Sequence, residues 1–412
     1  GVGFPVGGLL LPDDGHFLTL NEHIDHIQPT WISEHLSFNR FEDNGEKKQV
    51  NFLLPPLQTD DGVNAAVAAI RNYRSQIKLP FAFETGVNYL SPKAFEMDDG
   101  DFVAKIAEAA DCHILLDVHN ILANQKNGRQ SVKDFVSQLP IERICEIHVA
   151  GGFEYKNCYL DAHSGVSSDE LFGVLEWVVR RTPSLKAIVF EMLPEYVEEF
   201  SKLQIRRQFE EMQRVWEMRG KTRIRRTIPT KAARSVNRLR VEEWELTLGK
   251  LALSKPVEDS QLKQELADDT GLEVIRDLVF HLRASMIVGS LTLTTRLLRL
   301  TWGSDAFNEH LANFMRESDA QLFELLTAEK YADHLIGEGH RIPFLYKILE
   351  FETATAKTKA DSVVREVEFD FDPFPVLKKL SANNMPEPQT SETKFLLKIT
   401  PDEVAYTPSL GA

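Results

Sequence analysis

Cysteine is scarce in this chain. Its three residues, Cys112, Cys145 and Cys158, include no Cys-x-x-Cys pair. That argues against a disulfide framework or a thiolate metal site and fits a reducing compartment, the cytoplasm. No uncharged apolar run approaches the ~18 residues of a membrane helix, and no signal-peptide pattern is visible, so no membrane partner is expected. Positive charge is outweighed, with 47 Lys and Arg against 62 Asp and Glu for a net charge of −15. That balance weighs against nucleic acid as the main partner. The early glycines, Gly1, Gly3, Gly7 and Gly8, match no phosphate-binding spacing and read as turns. What remains is a globular composition, 43% hydrophobic, on 412 residues, enough for two or more domains.

Against these absences stand five strand-like runs that each end in a possible metal ligand. They are TWISEHLSF (Glu34, His35), LPFAFET (Glu84), CHILLDVHN (Asp117, His119, Asn120), RICEIHVAGG (Glu146, His148) and KAIVFEM (Glu191). A sixth cluster, YLDAHSG, adds Asp161 and His163. Runs that are apolar along their length and polar at their carboxyl end suit a parallel sheet with its site at one rim.

Spacing supports this reading. From His35 to Glu84 is 49 residues, then 33 to Asp117, 31 to His148 and 43 to Glu191. A strand, a crossover helix and their loops need about 30. The intervening segments are helical in period, with Val63, Val67, Ile70, Tyr73 and Ile77 on one face of the first. Phe102, Val103, Ile106 and Ala110 line the second, and Leu171, Val174, Leu175 and Val178 the third. Alternating strand and helix means a (β/α) barrel or a doubly wound sheet, and ligands from five strands converge more easily in a barrel. The expected fold is therefore α/β, a TIM-type barrel over residues 1–215. Five strands do not close an eight-stranded ring, and the opening GVGFPVGG reads as a loop leaving a strand. Further strands are thus expected ahead of Gly1.

His16, His23 and His26 look like a cluster, but His23 and His26 sit in an amphipathic helix and read as surface residues. Residues 195–218 read as one long charged helix. From Arg219 to Arg240 come nine Lys or Arg and no acid, a solvated linker (216–240) or, alternatively, a docking strip for an acidic peptide. Residues 241–412 read as a separate, mostly helical α+β domain that serves as a binding module, closing on the strands REVEFDFD and KFLLKIT. Its histidines, His281, His310, His334 and His340, are scattered along the sequence and read as structural.

One carboxylate at a strand end is commonly a helix cap or an ion-pair partner. Seven ligand-type residues at one rim are another matter, because buried carboxylates and imidazoles need compensating charge. Seven also exceeds what one ion takes, so the set points to two or three ions. Nitrogen and oxygen donors without sulfur allow iron, manganese or zinc.

The series SEHLS, ETGVNYL, LLDVHN, EIHVAG, LDAHSG and IVFEM resembles the multinuclear non-heme iron-dependent oxidative enzymes. That family includes the methanobactin-forming catalytic subunit and relatives that modify ribosomally made peptides. The resemblance covers residues 1 to about 200. It implies a TIM barrel with two or three irons, dioxygen as co-substrate, and oxidation of a residue, often cysteine, in a precursor peptide. It places metal ligands on His35, Glu84, Asp117, His148, Asp161, His163 and Glu191, with His119 as an eighth candidate. The chain departs from the family at His119, where Asn is usual, at Thr85, where Asn is usual, and at Gly152, where His is usual. The family's first His ligand falls before Gly1. More diffusely, WGSDAFNEHLANFMRES and YADHLIGEGHRIPFLYKILEFETA resemble partner proteins that bind the precursor's leader, here fused in one chain. A homo-oligomer or a separate partner protein also fits.

These resemblances imply a peptide-modifying iron oxidoreductase with no general base assigned. Two rival readings stay open. One is a di- or trinuclear metal-dependent isomerase or phosphodiesterase on the same barrel. The other is a non-catalytic scaffold that docks peptide through residues 241–412.

Overall fold

A computed structural model describes residues 3–221, 240–321, 323–388 and 393–408. The basic strip from Arg219 to Arg240 falls largely outside the described residues. Two compact units divide the chain, Gly1–Arg276 and Asp277–Ala412.

The strands of the first unit are β1 Ile32–His35, β2 Phe38–Asp43, β3 Glu46–Leu54, β4 Phe81–Glu84 and β5 His113–Asp117. They continue with β6 Ile144–Ala150, β7 Glu154–Tyr155, β8 Cys158–Tyr159 and β9 Ala187–Glu191. The five apolar runs form one parallel sheet in the order β1-β4-β5-β6-β9, half of a barrel. Strand follows strand in chain order, with no reversal. Helices Asp60–Gln76, Asp99–Ala109 and Asp169–Val179 fill three of the crossovers, and Thr59 and Ser168 cap the first and last. The expected faces are the observed ones, with Val63, Val67, Ile70 and Tyr73 buried on the first helix.

Period two along the strands decides what the rim contains. Phe81 and Phe83, Ile114 and Leu116, and Ile147 and Val149 all enter the core shared with the helices. The alternate residues Ala82, Leu115 and Cys145 form a small apolar cluster of their own. Toward the carboxyl ends that second face continues as Glu84, Asp117 and His148. Pairing shifts between Ile114 opposite Ile144 and Leu115 opposite Glu146, so one extra residue, Cys145, sits in β6. The bulge sets Glu146 opposite Leu115 and His148 opposite Asp117.

Three features differ from the sequence expectation. An antiparallel ribbon, β2 with β3, interrupts the strand–helix alternation after β1. Its turn is Asn44-Gly45, with φ of 53° and 81°, the pair of positive angles a tight hairpin turn demands. The charged segment after β9 is two helices, Pro194–Val197 and Lys202–Trp216, because Ser201 and Gln204 cap the second reciprocally. Residues 241–276, assigned from sequence to the second domain, pack in the first unit. Helix Val241–Ala252 buries Trp244, whose indole N–H donates to Pro55 O at 2.9 Å, and Lys250 pairs with Asp43 at 2.8 Å.

Glu245 on that helix is buried and accepts a 2.8 Å hydrogen bond from Leu9 N. Burial pushes its carboxyl up to about 8, although the Leu9 bond acts in the opposite direction. The unfolded chain ionises this group near the usual Glu value while the folded chain keeps the proton, so it subtracts stability as pH rises from roughly 4 to 8. Glu245→Gln keeps the acceptor and removes the ionisation. Its first-unit melting temperature is expected to exceed wild type at pH 8, by on the order of a few kcal/mol in stability, and to match it at pH 4. Equal melting at pH 8 would sink this assignment.

The second unit is α+β. Helices Thr292–Trp302, Ser304–Glu317, Glu324–Glu338 and Leu345–Asp361 pack with an antiparallel sheet, β10 Arg365–Phe369, β11 Phe395–Ile399 and β12 Val404–Pro408. Ile287, Leu298, Phe307, Tyr331, Leu349 and Phe369 lie in its core. Buried Glu352 accepts from Leu293 N and Thr294 N at 2.6 and 2.8 Å, which satisfies the start of helix Thr292–Trp302. The histidines here are not all scattered in space. His310, His334 and His340 converge on Glu338, because helix packing brings together what the sequence separates. Among the described residues no single helix is long and apolar enough to cross a membrane.

Candidate metal centre

The eight candidate ligands read from sequence join one connected cluster. His35 ends β1 opposite Glu84, the last residue of β4. The two carboxylate oxygens of Glu84 face different partners, His35 Nε2 at 3.2 Å and His148 Nδ1 at 3.1 Å. His148 Nδ1 also lies 3.3 Å from Glu191 Oε2. That same Glu191 oxygen is 3.6 Å from His163 Nε2, and His163 Nε2 is 3.0 Å from Asp161 Oδ1. His119 Nε2 stands 3.7 Å from Asp161 Oδ1. Glu84, Asp117, His148 and Glu191 present ligand atoms all within 4.8 Å of one another.

Asp117 sits at the centre of the charge problem. It is fully buried, and one oxygen accepts from Asn120 N at 2.8 Å, capping helix Val118–Lys126. The other, Oδ2, has no hydrogen-bond partner among the described residues. Burial first, then the Asp161 and Glu84 charges, drives its pKa well above the ordinary carboxylate range. His148 responds in the opposite sense. Burial alone would lower it, but bonds to Glu146, Glu191 and Glu84 push it up to about 12. The Asp161 bond likewise raises His163 to about 9. Protons here stand where a cation would satisfy the same carboxylates. Donor chemistry, a buried orphan oxygen and convergent geometry all fit divalent metal ions.

Local structure holds the pieces. Asp161 and His163 lie on the loop after β8, where His163 adopts a left-handed φ of 46°. Leu193 N donates to His163 O at 3.0 Å and Ser164 N to Gly151 O at 2.9 Å, which pins that turn. Thr85 accepts from Asp117 N at 3.0 Å through Oγ1 and from Asn120 Nδ2 at 3.3 Å through its carbonyl, so a hydroxyl here positions the Asp117 backbone. Gly152 abuts the His119 ring: a Cβ there would lie 2.7 Å from His119 Cε1 and 2.3 Å from Leu160 O. A larger residue at 152 would therefore meet both the Leu160 carbonyl and the His119 ring.

Two residues outside the expected ligand set also belong to the site. Glu146 Oε1 lies 3.3 Å from His148 Nε2, and its other oxygen accepts from Trp31 Nε1 at 2.7 Å. Its signal was its place two residues before His148, on the same strand face. Tyr89 OH accepts from Asp161 N at 3.2 Å; it lies within the run ETGVNYL, but its residue type did not mark it as a site residue. Glu34, by contrast, faces the helices and meets Tyr73 OH at 3.5 Å, away from the rim.

A family model described as RiPP precursor modification enzyme MbnB/TglH/ChrH matches residues 1–210, which hold all eight rim candidates. A UPF0276 protein of Chromobacterium violaceum is 31% identical over 181 residues, 44% of this chain and 64% of its own length. One from Shewanella loihica is 31% identical over 176 residues, 42% and 61% of the two chains. One from Streptomyces avermitilis is 27% identical over 185 residues, 44% and 38%. The chain thus spans less than two thirds of the length of these relatives.

Proposed function

The chain belongs to the MbnB/TglH/ChrH family of RiPP precursor modification enzymes, and on that premise we propose that it oxidises a residue in a precursor peptide. Cysteine is the residue proposed, with two or three rim-bound irons and dioxygen as the means. The five parallel strands are then part of an eight-stranded (β/α) barrel. In support, their order follows the chain, as in a singly wound barrel and unlike a doubly wound sheet.

The observation that carries the reading is Asp117 Oδ2, a buried carboxylate oxygen without a hydrogen-bond partner among the described residues, amid Glu84, His148 and Glu191. His35, Glu84, Asp117, His148, Asp161, His163 and Glu191 would hold the ions, with His119 beside Asp161. Glu84 and Glu191 each lie within reach of two imidazoles, so both would belong to the set that holds the ions. Bound iron would supply the redox chemistry, with dioxygen as oxidant. The chain's own groups do the rest. Glu146, held by Trp31, orients the His148 ring, and Thr85 and Asn120 fix the Asp117 carboxylate. The second unit serves as the module that binds the precursor's leader.

The test is full-length protein loaded anaerobically with ferrous iron and exposed to oxygen with its precursor peptide. Oxygen uptake coupled to a mass change in the peptide is expected. Zinc or manganese in place of iron, with no oxygen uptake, would overturn the reading in favour of isomerase or hydrolase chemistry. Peptide binding without bound metal would leave a scaffold.

A further inference from the structure

The second unit contains a cluster that the peptide-oxidation reading does not use. His310 comes from helix Ser304–Glu317, and His334 and Glu338 lie one turn apart on helix Glu324–Glu338. That helix ends at Gly339, in a left-handed turn, and the chain folds back to present His340. Nε2 of His310 and Nε2 of His340 each lie 2.7 Å from Glu338 Oε2, and Nε2 of His334 lies 3.5 Å from Oε1. Three imidazoles from three segments thus aim the same ring nitrogen at one carboxylate. We propose that His310, His334, Glu338 and His340 form a zinc site in the second unit, distinct from the rim cluster of the first.

The donor set suits zinc. His310, Glu338 and His340 present ligand atoms all within 4.8 Å of one another, and His334, which faces the other carboxylate oxygen, would close in to complete the four-coordinate tetrahedral shell of a structural site. Zinc–ligand bonds of about 2.0–2.1 Å spread tetrahedral neighbours to roughly 3.3 Å, so the two 2.7 Å pairs need open by only about half an ångström. His310 is already oriented: its Nδ1 lies 3.2 Å from Tyr331 OH. With Nδ1–H donated to that hydroxyl, Nε2 keeps its lone pair for the ion. Aromatic rings wall the site, with Trp302 centred 4.9 Å from His310 and 5.0 Å from His340, and Phe314 5.1 Å from His334. The side chains remain 16–35% exposed, which leaves a path for the ion to enter. The bound ion would tie two helices and the 339–341 turn together.

Zinc retention reads this out on the full chain, stripped with chelator, exposed to excess zinc, desalted and analysed for metal. Wild type and a Glu84→Gln, Asp117→Asn variant are both expected to keep one zinc that a His310→Gln, His340→Gln variant loses. Cobalt(II) loaded in its place is expected to give the intense visible bands of tetrahedral coordination, absent in the second variant. His340→Asn alone, on the turn outside the helices, guards against misfolding, and circular dichroism checks each protein. If the His310/His340 and His340 variants fold and keep that zinc, or if the Glu84/Asp117 variant loses it, these residues hold only a hydrogen-bonded cluster and the proposal fails. Either outcome is independent of iron and oxygen chemistry at the rim.

Discussion

Arg129→Met is expected to destabilise the first unit by about 3–5 kcal/mol, the usual cost of leaving buried carboxylates without their cation. Arg129 is buried and meets Asp99 Oδ1 at 2.6 Å, Asp99 Oδ2 at 3.1 Å and Glu96 Oε2 at 3.1 Å. It also donates to Leu90 O at 2.8 Å and Gln58 Oε1 at 2.9 Å. Methionine fills a similar volume but compensates none of these acceptors. Burial already raises the pKa of Glu96 despite Arg129 beside it, so loss of the cation drives it higher. Glu96 in the variant then takes up a proton as pH falls, and the deficit should shrink from pH 8 to pH 5. Chemical denaturation of the first-unit transition at both pH values measures this. Adding Glu96→Gln and Asp99→Asn should recover much of the loss, since neutral amides need no counter-charge. A deficit under about 1 kcal/mol at pH 8 would mean the pair is wet enough to be screened. The consequence reaches the rim cluster, because Leu90 follows Tyr89, whose hydroxyl holds Asp161 N.

How much of this was legible beforehand depends on how local the cause is. Strands β4, β5 and β6 could be read because a short apolar run that stops on a His or carboxylate is a local pattern, and that pattern also placed Glu84, Asp117 and His148 at one rim. The ribbon β2–β3 carried a local signal too, Asn44-Gly45 between β-favouring residues, but the strand–helix rhythm obscured it. The bulge at Cys145 left no such mark: only pairing with β5 shows that one residue is extra. Helix Val241–Ala252 follows a basic segment that looks like a linker, yet its Trp244 finds its partner at Pro55, far back in the chain. The His310, His334 and His340 cluster is illegible for the same reason. Its ligands share no strand end and no fixed spacing, and they meet only through helix packing.

Glu84→Gln combined with Asp117→Asn should empty the rim of metal while making the metal-free protein no less stable, and that pairing of signs is the sharper test. Both substitutions keep shape, and the new amide at position 117 can still accept from Asn120 N and so keep the cap on helix Val118–Lys126. What they remove is charge. In the metal-free chain the Asp117 carboxylate is fully buried and repelled by Asp161 and Glu84, so folding there favours a neutral group. Residues kept for binding at a cost in stability behave in this way. With metal present the order reverses, because an ion that binds only the folded chain adds stability in proportion to the logarithm of its concentration over Kd. Melting temperatures with and without ferrous iron, beside elemental analysis, read out both halves. Wild type should gain stability on loading and the variant should not, and the proposed peptide modification should fall by about 10–100-fold or more. A metal-free variant clearly less stable than metal-free wild type would assign Glu84 and Asp117 to holding the sheet together. Unchanged iron content would remove them from the ligand set.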